Sequence, residues 1–143
     1  MADKHLARLR FPAHAAHLRA VRARMRETLQ GLDLPFELAE EMILAVNEAC
    51  MNIIQHAYGK NPSRDQDIVL DIVQATNELV FRLTDFADPI DRSALRPRDL
   101  SQLRPGGLGL HIINHAMDSA HFEPPTGAGN VLEMRRRISS GPR

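Results

Sequence analysis

The sequence predicts one mixed α/β domain, and three observations predict it. Its 143 residues suit a single domain with a substantial core, spanning 1–143 without a boundary. Three stretches, near 14–29, 41–60 and 108–120, repeat apolar residues at helical spacing. Five runs rich in β-formers, at 5–11, 67–75, 78–85, 121–123 and 130–138, read as strands.

Composition narrows the function classes. With 43% hydrophobic and 25% charged residues the chain is globular, and with 4% aromatics its core must be filled by Leu, Ile, Val and Met. Eighteen acidic and eighteen basic residues cancel, so no global field draws the chain to nucleic acid or to an anionic membrane. No run approaches the ~18 apolar residues of a membrane span, and MADKHLARLRF lacks the apolar centre of a signal peptide. A cytoplasmic protein is expected. The lone Cys50 has no disulfide partner and falls on the inner half of a helix, where it packs as a small apolar group.

In chain order, His5 to Phe11 alternates and stops at Pro12, which fits an edge strand. Leu18, Val21, Met25 and Leu29 mark a helix from about His14 to Leu29, with Gly31 placed to end it. Its outer face carries Arg19, Arg22, Arg24 and Arg26, a solvated face by default and a docking surface for an acidic partner as the sharper option. Pro35 suits the first turn of the central helix, with Glu37, Glu40 and Glu41 near its positive end. On that helix Leu38, Met42, Val46, Ala49, Ile53 and Ala57 share one face, and Glu41, Glu48 and Asn52 line its shoulder. Two strands, Asp67 to Ala75 and Glu78 to Asp85, are joined by a tight turn at Thr76-Asn77. From Phe86 to Pro105 there is no periodicity, with three prolines and seven charges, and a stretch this long inside a compact domain reads as a lid. Pro105-Gly106-Gly107-Leu108-Gly109-Leu110 then opens a helix marked by Leu110, Ile113 and Met117. Two short strands close the chain around PPTGAG, before a loose tail at about 139–143.

Each functional signal is weak alone, and their order strengthens them. Glu48 and Asn52 lie one turn apart, Asp85 ends a hairpin, and a lid then leads into Gly-Gly-x-Gly-Leu at a helix start. This set suits nucleotide phosphoryl transfer. The amide oxygen of Asn52 suffices for Mg²⁺, which keeps much of its water and takes few protein ligands. The Glu48 carboxylate, one turn back, can accept a proton from an attacking hydroxyl or water. Main-chain donors at Gly107 and Gly109 can face a phosphate chain, and Arg104 can neutralise its terminal charge.

At this point the chain resembles the superfamily of gyrase, histidine-kinase and mismatch-repair ATPases, and within it the small anti-sigma-factor serine/threonine kinases. NEACMNIIQHAYG is similar to their N-box helix, TDFADPID to the first glycine box, GGLGLHII to the second and GNVLEMRRRI to the closing strand. The resemblance implies a two-layer α/β (α+β) sandwich with helices on one face of a mixed, mostly antiparallel sheet, and ATP held under a lid. It implies Glu48 as general base, Asn52 as Mg²⁺ ligand and Asp85 as acceptor for the adenine amino group. Ala87 and the segment Gly106, Gly107, Leu108, Gly109 and Leu110 fall in the nucleotide-binding boxes. The implied activity is phosphorylation of a small antagonist protein, an anti-anti-sigma factor, together with sequestration of a sigma factor or similar regulator. Homodimers are common among such relatives.

The first glycine box departs from the pattern. Asp85-Phe86-Ala87 stands where relatives carry Asp-x-Gly, and the added methyl group lies near the expected adenine pocket. A second reading therefore stays open, that of a non-catalytic partner-switching module with weak or no nucleotide binding. Other motifs fail on spacing. Gly59-Lys60 lacks the rest of a P-loop, the seven histidines lack zinc spacing, and Ser93 and Ser101 sit in no nucleophile elbow.

Overall fold

The structure is a computed structural model that describes residues 3–58, 66–86, 108–123 and 129–138. Strand β1 (Lys4–Pro12) leads through a 3-10 turn to helix α1 (Leu18–Gln30) and helix α2 (Phe36–Asn52). A π-helical turn, Ile53–Tyr58, prolongs α2. The hairpin of β2 (Asp67–Ala75) and β3 (Glu78–Asp85) follows, then α3 (Leu108–Ala116), β4 (Ser119–Phe122) and β5 (Asn130–Arg137). The five strands form one sheet in the order β1-β2-β3-β5-β4, and every neighbouring pair is antiparallel.

Alternation along the strands decides which face the helices cover. Ile68, Leu70 and Ile72 of β2, Leu79, Phe81 and Leu83 of β3, and Leu132 and Met134 of β5 point to one side and are fully or almost fully buried. They join Leu18, Val21, Met25 and Leu29 of α1, Met42, Val46 and Ala49 of α2, and Ile113 and Ala116 of α3 in one core. This is the two-layer sandwich with helices on one face. The other face carries charge. Arg8 Nε donates to Asp71 at 2.7 Å, Arg82 Nε to Glu133 at 3.0 Å, and Arg135 donates to both Glu133 and Glu78.

Several boundaries differ from the sequence expectation for physical reasons. The first helix begins four residues later than His14, because His14 is extended and its Nδ1 accepts the Ala16 N–H, starting a 3-10 turn instead. Gly31 does end α1, but with φ −72°, so its freedom to adopt positive φ is not used; the Leu32 N–H closes the turn on the Leu29 carbonyl. The third helix stops at Ala116 rather than near Ala120. Arg136 Nη1 donates to the Ala116 carbonyl and the Asp118 N–H to the Arg135 carbonyl, so β5 captures the chain and Ser119 and Ala120 join β4.

Candidate active site

Helix α2 presents Glu48 and Asn52, and its neighbours hold it in place. Arg22 Nη1 of α1 donates to Asn47 Oδ1 at 2.8 Å, Arg26 forms a two-pronged pair with Glu40, and His115 of α3 lies 3.5 Å from Glu41. Two of the four arginines expected on an open basic face are thus spent tying α1 to α2. A third, Arg24, lies 3.5 Å from Glu27 on its own helix. Arg19, Arg24 and Arg26 nevertheless remain exposed on the outer face of α1, and Arg22 is half-buried.

Glu48 is half-buried at the end of the core face. Asn52, one turn on, is buried at 6% exposure, and its Oδ1 has no hydrogen-bond partner among the described residues. A buried amide oxygen without a donor destabilises the fold unless a ligand completes it. That oxygen fits a hard cation such as Mg²⁺, which takes oxygen ligands and completes its shell with water and phosphate. The π turn begins at the next residue, a distortion frequently found at functional positions. Between them lies Cys50, whose thiol is pushed up to about 12 by burial, so it stays protonated at neutral pH.

Asp85 is the last residue of β3, on the helix-covered side of the sheet, and is 2% exposed. Opposite it in register stands Asn130, the first residue of β5, whose Nδ2 donates to Asp85 Oδ1 at 2.9 Å. Gly129, just before, has φ +89°, and a Cβ there would collide with the Asp85 carbonyl. Neither Asn130 nor Gly129 was assigned a role from the sequence. The signal available was the Gly-Asn pair at the mouth of the closing strand.

The expected site is only partly within the described residues. Glu48 and Asn52 share a helix, and Asp85 lies on the sheet face that helix covers. Leu108, Gly109 and Leu110 open α3, which packs against α2. Ala87, Arg104, Gly106 and Gly107 lie outside the described residues, as do the lid beyond Phe86 and the tail at 139–143.

Comparison with known proteins decides the family. A family model described as "Histidine kinase-like ATPase domain" matches residues 11–136, most of the chain. The chain belongs to the histidine kinase-like ATPase domain family. Within the family it is similar to proteins named serine-protein kinase RsbW. The chain is 30% identical over 120 residues to the serine-protein kinase RsbW of Bacillus cereus (strain AH820), a match covering 77% of this chain and 72% of the relative. RsbW of Bacillus thuringiensis (strain Al Hakam) is 31% identical over 118 residues, with the same coverage. Two solved structures share the ATPase-family fold at 17% identity. One is SiaB in the SiaB-SiaC complex from Pseudomonas aeruginosa, with TM-score 0.65, covering 94% of this chain and 91% of that one. The other holds the RsbU and RsbW domains of Rv1364c from Mycobacterium tuberculosis, with TM-score 0.64, covering 96% of this chain and 32% of that longer one. Among the described residues no helix is long and apolar enough to cross a membrane.

Proposed function

We propose that this ATPase-family chain is a Mg·ATP-dependent serine/threonine protein kinase of the anti-sigma type. It phosphorylates a small antagonist protein and sequesters a sigma factor or similar regulator, exchanging partners with nucleotide state. The observation that carries the reading is the buried, partnerless oxygen of Asn52 one helical turn after Glu48. A purely structural asparagine is expected to satisfy that oxygen.

Each residue then has a task. Glu48 accepts the proton of the attacking serine or threonine hydroxyl as the phosphoryl group leaves ATP. Asn52 would hold Mg²⁺ through Oδ1, where the cation would supply charge neutralisation to the phosphates. The Asp85 carboxylate accepts the adenine amino group. The Gly106 to Leu110 segment, by the family motif, carries the phosphate chain, and Arg104, by its place just before the glycines, neutralises the terminal phosphate. In the protein relatives the kinase name belongs to RsbW, and SiaB is recorded in complex with SiaC; a protein substrate for this chain is inferred from both.

Purified protein, labelled ATP and the candidate antagonist test the reading. Label is expected on the antagonist, and Glu48→Gln is expected to retain Mg·ATP binding while transfer falls by roughly a hundredfold or more. Calorimetry provides the second arm. No heat of Mg·ATP binding to the wild type would sink the kinase and leave the nucleotide-free partner-switching module, the outcome for which Ala87 is the sequence motive.

A further inference from the structure

We infer that the outward ridge of α2 is the docking surface for the phosphoacceptor segment of the substrate protein, and that this segment is apolar and basic, with leucine-like side chains and Lys or Arg around its serine or threonine. The inference rests on the kinase reading and names the substrate chemistry of that site. Of the large hydrophobic side chains exposed among the described residues, α2 carries Phe36 at 77% and Leu44 at 47%. At 100° per residue Glu37, Leu44 and Met51 stand within about 20° of one line along the helix. On one flank of that line Glu40 and Asn47 accept from Arg26 and Arg22 of α1. On the other, Glu41 lies 3.5 Å from His115 of α3, and Glu48 follows Leu44 by one turn. Helices α1 and α3 therefore clasp α2 from both sides and leave its crest to solvent, with Leu44 exposed and Met51 half-buried.

A lone exposed leucine is ordinary, but Leu44 leads directly to the proposed general base. A hydroxyl delivered to Glu48 brings its neighbours in the substrate over Leu44 and Glu41. There the hydroxyl oxygen bonds the γ-phosphorus, the bond to the bridging oxygen breaks, ADP leaves and the hydroxyl proton passes to Glu48. Charge defines the rest of the occupant. Helix α2 carries four glutamates and no Lys or Arg, and α3 carries no Lys or Arg either. Arg26 neutralises Glu40 on the α1 flank. Neither α2 nor α3 supplies such a partner to Glu37 or Glu41, where His115 is the one basic group nearby. Lys or Arg on the incoming segment complements these carboxylates, and an acidic segment is repelled.

The probe is a fluorescein-labelled peptide of about 15 residues, the length of the ridge from Phe36 to Met51, with leucine and lysine around one serine. A second peptide has glutamate for lysine. Anisotropy on the full chain is expected to show the lysine peptide binding roughly tenfold or more tightly than its counterpart. Leu44→Gln and Phe36→Ala are each expected to weaken it roughly fivefold, and both positions are exposed, so the core is left alone. Glu37→Gln combined with Glu41→Gln is expected to remove most of the salt dependence. With labelled Mg·ATP the serine of the bound lysine peptide is expected to take the label. Binding that none of these substitutions weakens, a preference for the glutamate peptide, or no label on the bound serine overturns the inference, and the antagonist assay then shows whether the kinase itself stands. A chain that binds no Mg·ATP overturns the kinase reading, and the inference with it.

Discussion

An unpaired buried carbonyl oxygen costs a fold about 1–3 kcal/mol, and Asn52 Oδ1 is such an oxygen among the described residues. Replacing Asn52 by leucine, of similar size and better helix propensity, removes that cost. Asn52→Leu is expected to raise stability by about 1 kcal/mol in urea denaturation and to abolish the Mg²⁺ dependence of nucleotide binding. A loss of stability would show that the oxygen has a structural partner. Gly129 is the opposite case, a residue that acts through its backbone alone. Gly129→Ala forces a side chain into positive φ against the Asp85 carbonyl, and is expected to lower stability by roughly 1–3 kcal/mol. Glu48, Asn52 and Asp85 were singled out as candidates by the sequence because motif spacing is local. Gly129 and Asn130 were not, because their importance comes from a register with β3 some 45 residues earlier.

At the scale of elements the hairpin was read to the residue. β2 and β3 span the expected ranges, and Asn77 takes φ 62° in the turn, a conformation asparagine tolerates. Helix ends were read less well, since partners far along the chain set them, as Arg136 does for α3. The charged ladder on the open face was not legible at all. Pairing in a sheet is decided by strand order, and β5 enters between β3 and β4. In that ladder Glu133 is 6% exposed. Burial pushes its pKa up, but hydrogen bonds and charge from Arg135, with Arg82 beside it, outweigh that and hold it at about 2 instead of 4.5. Burial acts likewise on Asp71, and Arg8 and His5 outweigh it, leaving its pKa below the ordinary value. Both folded values lie below the unfolded ones. The stability these groups contribute is therefore full above the ordinary carboxylate range and is lost as pH falls through the folded values. For Glu133 the window runs from 4.5 down to about 2. At 1.36 kcal/mol per unit the shift has a ceiling of about 3 kcal/mol, lowered because Arg82 and Arg135 remain about a third open to water. Glu133→Gln is expected to flatten the fall of melting temperature across that window, with Asp71 supplying the slope that remains.

The whole molecule depends on a long-range closure at its edge. β1 opens the chain yet pairs with β2 from Lys4↔Gln74 to Pro12↔Asp67, so the pairing closes a loop that contains both helices α1 and α2. The Ala13 N–H donates to the Gln66 carbonyl at the end of that ladder. Without β1, the row of backbone groups on β2 that it pairs would open to solvent. Leu9 and Phe11, 8% and 6% exposed, would leave the core they share with the helices. Burial of a phenylalanine and its cavity term amount to about 3–5 kcal/mol, against roughly 5–15 kcal/mol for an ordinary domain. Phe11→Ala is therefore expected to lower the urea midpoint with an unchanged slope, since the same surface is exposed on unfolding. Deletion of residues 1–12 is expected to abolish the cooperative transition. Far-UV circular dichroism must follow both, because the chain has no tryptophan and one tyrosine. A deleted chain that still unfolds cooperatively at the wild-type midpoint would show that four strands and three helices suffice, and that β1 serves the surface of the protein and not its core.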